Sequence, residues 1–213
     1  MVVYVKRFYY KDIHCRVALM AILRHRTSGA YVAVINTHLY WDPEQEDVQL
    51  QELFYLNQEV RRTFFSLGII ASELPIVFCG DFNNVPQSLL YRFVRGYMFN
   101  YSDQEARNFN GSRPWAIKNG VLKSAYSYYQ RNNSERTSRS FTLNKEIEGE
   151  PPFTTVTSRR CHTVDYICEE SLREEKLTGA PCGGLPNSCQ PSDHLSLMAC
   201  FEFLVPRNKN NAR

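Results

Sequence analysis

The sequence predicts an α/β fold, and three patterns carry that prediction. Apolar, partly β-branched runs of strand length alternate with a stretch of helical periodicity. One run, Leu74 to Cys79, is continuously apolar, as a strand buried on both faces would be. Polar clusters stand at the edges of the strand-like runs, where a sheet hands the chain to its loops. With 213 residues, 43% of them hydrophobic and 13% aromatic, the chain can fill one domain of ordinary size with a real core, or be a piece of a larger one.

Met1 to Phe8 carries Lys6 and Arg7 inside a short apolar stretch, which makes it a poor signal peptide and a better strand. Arg16 to Leu23 and Tyr31 to Leu39 are apolar runs separated by Thr27-Ser28-Gly29-Ala30, the pattern of a hairpin. Asp42-Pro43 reads as a helix start, with Asp42 as N-cap and Pro43 in the first helical position. Acids at Glu44, Glu46 and Asp47 suit the positive end of a helix dipole. Leu50, Leu53, Phe54, Leu56, Val60 and Phe64 recur at helical spacing, and the helix should end near Gly68. The strand Leu74 to Cys79 follows, then a short helix from Pro86 to Arg95 with Gly96 as its stop. Between Met98 and Pro152 no period survives, and a loop is expected over 100–150, mobile in its Gln130 to Glu150 part. Phe153 to Thr157, Thr163 to Cys168 and His194 to Phe203 read as strands, Gly179 to Pro191 as a loop, and 206–213 as a polar tail after one domain over 1–205.

No apolar run approaches the roughly 20 residues that span a bilayer, so no membrane role is expected, and the default location is cytoplasmic, with the nucleus open. A net charge of +3 permits an anionic substrate but is mild for a duplex-coating protein. Seven cysteines without a paired spacing read as reduced thiols rather than as a disulfide framework or a zinc site. Arg131, Arg136, Arg139 and Lys145 make a locally basic loop that reads as solvated.

The chemistry rests on an ordered set of polar groups. Phosphodiester hydrolysis needs an activated water, neutralisation of phosphoryl charge and usually a divalent metal on hard oxygen ligands. His38, Asp81, Asn83, Asp165, Asp193 and His194 are suitable groups, all at strand edges. Singly, each has a plain reading. Thr37-His38 is a polar strand end, Gly80-Asp81-Phe82-Asn83 an Asx-turn, and Ser192-Asp193-His194 a turn cap. Asp165 is harder to dismiss, because a carboxylate among Val164, Tyr166 and Ile167 is costly unless paired, and a histidine is a natural partner.

Taken in order, Thr37-His38-Leu39, Gly80-Asp81-Phe82-Asn83, Val164-Asp165-Tyr166-Ile167 and Ser192-Asp193-His194-Leu195 resemble the endonuclease/exonuclease/phosphatase superfamily. Thr37 to Pro43 resembles its poly(A) deadenylase branch, which includes nocturnin, and Gly184-Leu185-Pro186-Asn187 with Ser192 to Leu197 resembles the Angel members of it. The resemblance implies a four-layer α/β sandwich. It also implies a Mg2+-dependent phosphodiesterase that shortens RNA from a single-stranded, A-rich 3′ end, or that removes a terminal cyclic phosphate. By that resemblance His38 contacts the scissile phosphate, Asp81 orients or deprotonates the attacking water, and Asn83 holds a phosphate oxygen. Asp165 fixes His194, which stabilises the transition state, and Asp193 lies at the metal. Phe153 and Trp41 are the expected substrate-binding aromatics, Phe153 by stacking an adenine.

The sequence departs from that family at one point. Members bind their metal through a glutamate upstream of the Thr-His strand, and no glutamate precedes Glu44 here. The chain therefore reads as the C-terminal half to two-thirds of the family domain, incomplete at its N-terminus. Weakened Mg2+ binding, exposed sheet surface, and the alternative of an inactive fragment or isoform that binds RNA or protein follow as expectations.

Overall fold

The computed structural model describes residues 1–10, 16–70, 73–96, 122–126, 150–151, 153–157, 161–170, 173–177 and 191–203. Their main feature is a six-stranded mixed sheet. Strand β1 (Val2–Tyr9) pairs antiparallel with β2 (Val17–Arg24), and β2 pairs antiparallel with β3 (Tyr31–His38), which is the expected hairpin. Helix α1 (Glu46–Ser66) carries the chain across to β4 (Ile76–Asp81), parallel to β3. After the short helix α2 (Leu89–Val94) and the two-residue β5 (Lys123–Ser124), the chain adds β6 (Thr155–Val156), β7 (Cys161–His162) and β8 (Asp165–Glu170). The sheet order is β1-β2-β3-β4-β8-β5. Strands β6 and β7 pair with each other, as do β9 (Arg173–Leu177) and β10 (Ala199–Glu202).

Period-2 alternation divides the sheet into two unlike faces. Phe8, Ala18, Met20, Ile22, Ala33, Ile35, Ile76 and Phe78 point inward and are buried in one cluster with Leu50, Leu53, Leu56, Val60 and Phe64 of α1. Burying each large apolar side chain contributes about 1.5–3 kcal/mol, which makes this layer the main source of stability. Phe54 of α1 meets Phe93 of α2 edge-on at 4.5 Å and so ties the two helices together. The opposite face carries Val3, Val5, Val17 and Leu19, each between 42% and 52% exposed. Exposed sheet surface was expected from the sequence, and this is where it lies.

Several boundaries differ from expectation. Asp42 does not cap α1; its Oδ1 accepts the Glu44 N–H at 3.0 Å and its carbonyl accepts the Gln45 N–H at 3.1 Å, so Asp42-Pro43 closes a turn and the helix begins at Glu46. The far end is as expected, with Gly68 left-handed at φ 65° just after the helix. Helix α2 starts at Leu89 rather than Pro86, capped by Ser88 Oγ, which accepts the Tyr91 N–H at 3.1 Å. Strand β4 continues past Cys79 to Asp81, which places Gly80 and Asp81 in the sheet instead of the loop. His194 lies ahead of β10 and forms an isolated bridge to Thr155. All of the expected mobile Gln130 to Glu150 loop but its last residue, nearly all of the Gly179 to Pro191 loop and the 206–213 tail lie outside the described residues; Glu150 itself is fully buried and accepts the Tyr91 hydroxyl.

Candidate active site

Strand register assembles the site. In the parallel β3–β4 pair, Thr37 stands opposite Gly80 and His38 opposite Asp81; in the antiparallel β4–β8 pair, Asp81 stands opposite Asp165. Three of the expected residues therefore lie side by side at one end of three adjacent strands. Gly80 makes this approach possible. Its φ is 139°, and a Cβ there would lie 1.8 Å from the Thr37 carbonyl oxygen, so only glycine fits.

Beyond β4, Phe82 is fully buried, with ring centroids 5.0 Å from Phe78 and 5.1 Å from Tyr166, and its N–H donates to the Val164 carbonyl at 2.8 Å. That anchor fixes the turn on either side of it. Asn83 takes φ 53°, a left-handed conformation that asparagine tolerates. Its N–H donates to Asp81 Oδ1 at 2.8 Å, so the plain Asx-turn reading is correct as local geometry. Its Nδ2 donates to the Leu39 carbonyl at 3.0 Å, which ties the β4 turn to the β3 exit and leaves one amide hydrogen and Oδ1 for a ligand.

The other Asp81 oxygen faces two imidazoles. Oδ2 lies 3.6 Å from His38 Nε2 and 3.8 Å from His194 Nε2. His194 Nδ1 meets Asp165 Oδ2 at 2.9 Å, the only one of these contacts of hydrogen-bond length. Burial, and then the charge of Asp165, push the Asp81 carboxyl above its ordinary range, against the Asn83 N–H and the two histidines. Burial works against the His194 cation, but the Asp165 hydrogen bond and the charges of Asp165, Asp81 and Asp193 outweigh it and raise His194 above the usual histidine value. The pairing expected of Asp165 with a histidine is therefore present. The pair can hold charge on His194 while the Asp81 carboxyl faces the same point.

The remaining expected residues take their places around this core. Asp193 is half-buried, with its carbonyl bound by the Val156 N–H at 3.0 Å and the Thr155 hydroxyl at 3.1 Å. It acts on His194 through its charge. Phe153 is half-buried. Trp41 is 62% exposed, its ring 5.8 Å from that of Tyr40.

Three residues that sequence reasoning missed hold the frame. Gln49, fully buried on α1, donates through Nε2 to the Tyr40 carbonyl at 2.7 Å, and its Oε1 accepts from Asn84 Nδ2 at 2.8 Å. Glu52 accepts the Tyr40 N–H at 2.9 Å and pairs with Arg16 at 2.6 Å, while the Arg16 guanidinium lies 4.4 Å from the Tyr40 ring centroid. Thr154 donates to Asp165 Oδ2 at 2.7 Å. Gln49 and Glu52 stand four residues before the core positions Leu53 and Leu56, so the helical period itself signalled that both face inward.

Asp81, Asp165 and His194 each offer a ligand atom within 4.8 Å of the others, a group able to hold a metal ion. Alone it supplies only part of the hard-oxygen octahedral array that Mg2+ wants. Asp165 Oδ2 already accepts from both Thr154 and His194, and Asp81 Oδ1 accepts from Asn83. Among the described residues, Asp81 Oδ2 is turned to the histidines without a hydrogen bond of its own, and Asp165 Oδ1 accepts none.

No protein-family model matches the chain. It is similar to the CCR4-Not complex 3′-5′-exoribonuclease subunit Ccr4 of Candida albicans, 32% identical over 215 residues, covering 92% of this chain and 24% of that protein. It is also similar to protein angel homolog 2 of Danio rerio, 28% identical over 248 residues, covering 88% of this chain and 43% of that one. Among solved structures, that of ANGEL2, a 2′,3′-cyclic phosphatase, in complex with adenosine-2′,3′-vanadate matches with a TM-score of 0.66 and 25% identity, covering 94% of this chain and 67% of that one. The chain thus spans about a quarter of the length of the Ccr4 protein it matches. The mixed sheet with its helices is that of an α/β sandwich. These likenesses, to Ccr4 and angel proteins in sequence and to ANGEL2 in fold, are consistent with the deadenylase branch of the endonuclease/exonuclease/phosphatase superfamily.

Proposed function

We propose that this chain carries the phosphate-handling centre of an RNA 3′-end phosphodiesterase of the deadenylase kind. The observation that supports the reading best is the register of His38, Asp81 and Asp165 across adjacent strands, closed by His194 on Asp165. His38 and His194 present N–H donors to a phosphoryl group, and cationic His194 offsets charge that develops in the transition state. Asp81 takes the proton of the attacking water as its oxygen bonds to phosphorus and the bond to the leaving oxygen breaks. Asn83 offers its free amide hydrogen to a phosphate oxygen. Phe153 and Trp41 are assigned to base stacking, worth roughly 1–3 kcal/mol per base. The substrate is a single-stranded RNA 3′ end. The names of the relatives support two reactions on it, 3′-5′ exonucleolytic shortening and action on a terminal 2′,3′-cyclic phosphate, while an A-rich end is assigned by resemblance alone. Mg2+ is the cofactor assigned by resemblance, with Asp193 as its ligand, and action in the cytoplasm or nucleus belongs to the same proposal.

The test is incubation with oligo(A), and separately with an RNA ending in a 2′,3′-cyclic phosphate, in Mg2+, beside an Asp81→Ala variant. Shortening or end-opening by the wild type alone supports the proposal; no reaction, or equal reaction by both, rejects it. A second reading, an inactive module that binds RNA or protein, is favoured by the occupied oxygens of Asp165 and Asp81. Calorimetric titration with Mg2+ separates the two. One-site binding at low millimolar or tighter that vanishes in Asp193→Ala argues for the enzyme, and its absence argues for the module.

A further inference from the structure

We propose that Thr154 is a positioning residue that orients the Asp165 carboxylate on His194; this rests on the reading that the pair serves the reaction. Thr154 is fully buried. Its backbone is held on both sides, the N–H donating to the His162 carbonyl at 2.8 Å and the carbonyl accepting the Leu195 N–H at 2.8 Å. Its hydroxyl oxygen accepts the N–H groups of Val164 and Asp165, both at 3.0 Å. Backbone N–H groups can only donate, so both acceptor sites of the hydroxyl are filled and its single hydrogen has one destination. That destination is Asp165 Oδ2, at 2.7 Å.

The consequence passes along the chain of bonds. Oδ2 is held as an acceptor, and the same oxygen meets His194 Nδ1 at 2.9 Å. An ionised Asp165 accepts from both the Thr154 hydroxyl and a His194 Nδ1–H, and the two bonds together hold the ring with Nε2 turned to Asp81, 3.8 Å away. The strand around Thr154 fixes the other partner as well. Thr155 bridges His194, and the Thr155 hydroxyl and the Val156 N–H both bind the Asp193 carbonyl, at 3.1 and 3.0 Å. Residues 154–156 thus template both halves of the pair, but among them only the Thr154 hydroxyl bonds the Asp165 carboxylate.

The experiment uses the full chain with 15N-labelled histidine. Wild type should show a slowly exchanging, hydrogen-bonded proton on His194 Nδ1. Thr154→Val, which keeps the shape and removes the hydroxyl, should lose that signal, and Thr154→Ser should keep it. Thr155→Val, which removes the neighbouring hydroxyl bond to Asp193, is the control and should keep it too. Where a reaction is measurable, Thr154→Val should lower kcat by roughly 10- to 100-fold with KM little changed, and Thr154→Ser should restore it. If the valine variant does not fold, Thr154→Cys, with its weak donor, takes its place: a weakened Nδ1 signal supports the role. An unchanged signal in the valine or the cysteine variant overturns it, as does equal loss in Thr155→Val. A wild type that shows the signal but no reaction on RNA rejects the functional reading and leaves the role of Thr154 standing.

Discussion

Asp81 and Asp165 face each other as directly opposed residues of adjacent antiparallel strands, and His194 reaches both, at 3.8 Å and 2.9 Å. Two carboxylates in register repel, so one of them gives way in its protonation. Asp165 is held by Thr154 and by His194. Asp81, short of such donors on Oδ2, carries the cost.

That cost should be visible in stability. Because the folded state holds the Asp81 carboxyl above its ordinary range, the unfolded chain ionises first as pH rises, and folding is penalised above that point. Asp81→Asn keeps the oxygen that accepts the Asn83 N–H and removes the charge. At neutral pH it should stabilise by roughly 0.5–2 kcal/mol while abolishing any reaction. Urea unfolding of both proteins at pH 7 and pH 3 checks this, with the gain confined to pH 7.

The histidine has the opposite sign. His194 is raised in the folded state, so its contribution is fully present below the ordinary histidine value of about 6.5 and is lost as pH rises through the raised value. An NMR titration should place His194 above free histidine. Asp165→Asn should bring it down and flatten the loss of stability on the alkaline side.

Gly80 is the geometric condition for the site. Gly80→Ala would set a methyl 1.8 Å from the Thr37 carbonyl at φ 139°, so β3 and β4 must part or the backbone must rearrange. We expect a loss of roughly 3 kcal/mol or more, a fall in Tm on the order of 6–12 °C, measured by thermal melting. A melting point within a degree of wild type would show that the strands yield without cost.

How much of this was legible in the sequence depended on whether the signal was local. Asp81, Asn83, Asp165 and His194 sit in short motifs at strand edges, and their types alone suggested phosphate chemistry. The β2–β3 hairpin, α1 and its end at Gly68 announced themselves by period and punctuation. Their register did not, since nothing in Leu74 to Cys79 says that Asp81 will lie opposite both His38 and Asp165. Asp42 misled because the same side chain caps a helix or closes a turn, and only the backbone beyond Pro43 decides. Thr154 was hidden because a threonine beside a strand reads as ordinary strand material until its bonding partners are in place. The two-residue strands β5, β6 and β7 are too short to leave any period.

The central claim is that Asp165 and His194 act as one unit on a phosphate at this sheet end. A double-mutant cycle in single-turnover cleavage of a 3′-terminal RNA linkage tests it most directly, with Asp165→Asn, His194→Asn and the double variant. If the claim holds, each single change lowers the rate by roughly 10²–10³-fold and the double is no worse than the more damaging single change. Losses that multiply, or single variants as fast as wild type, would contradict it.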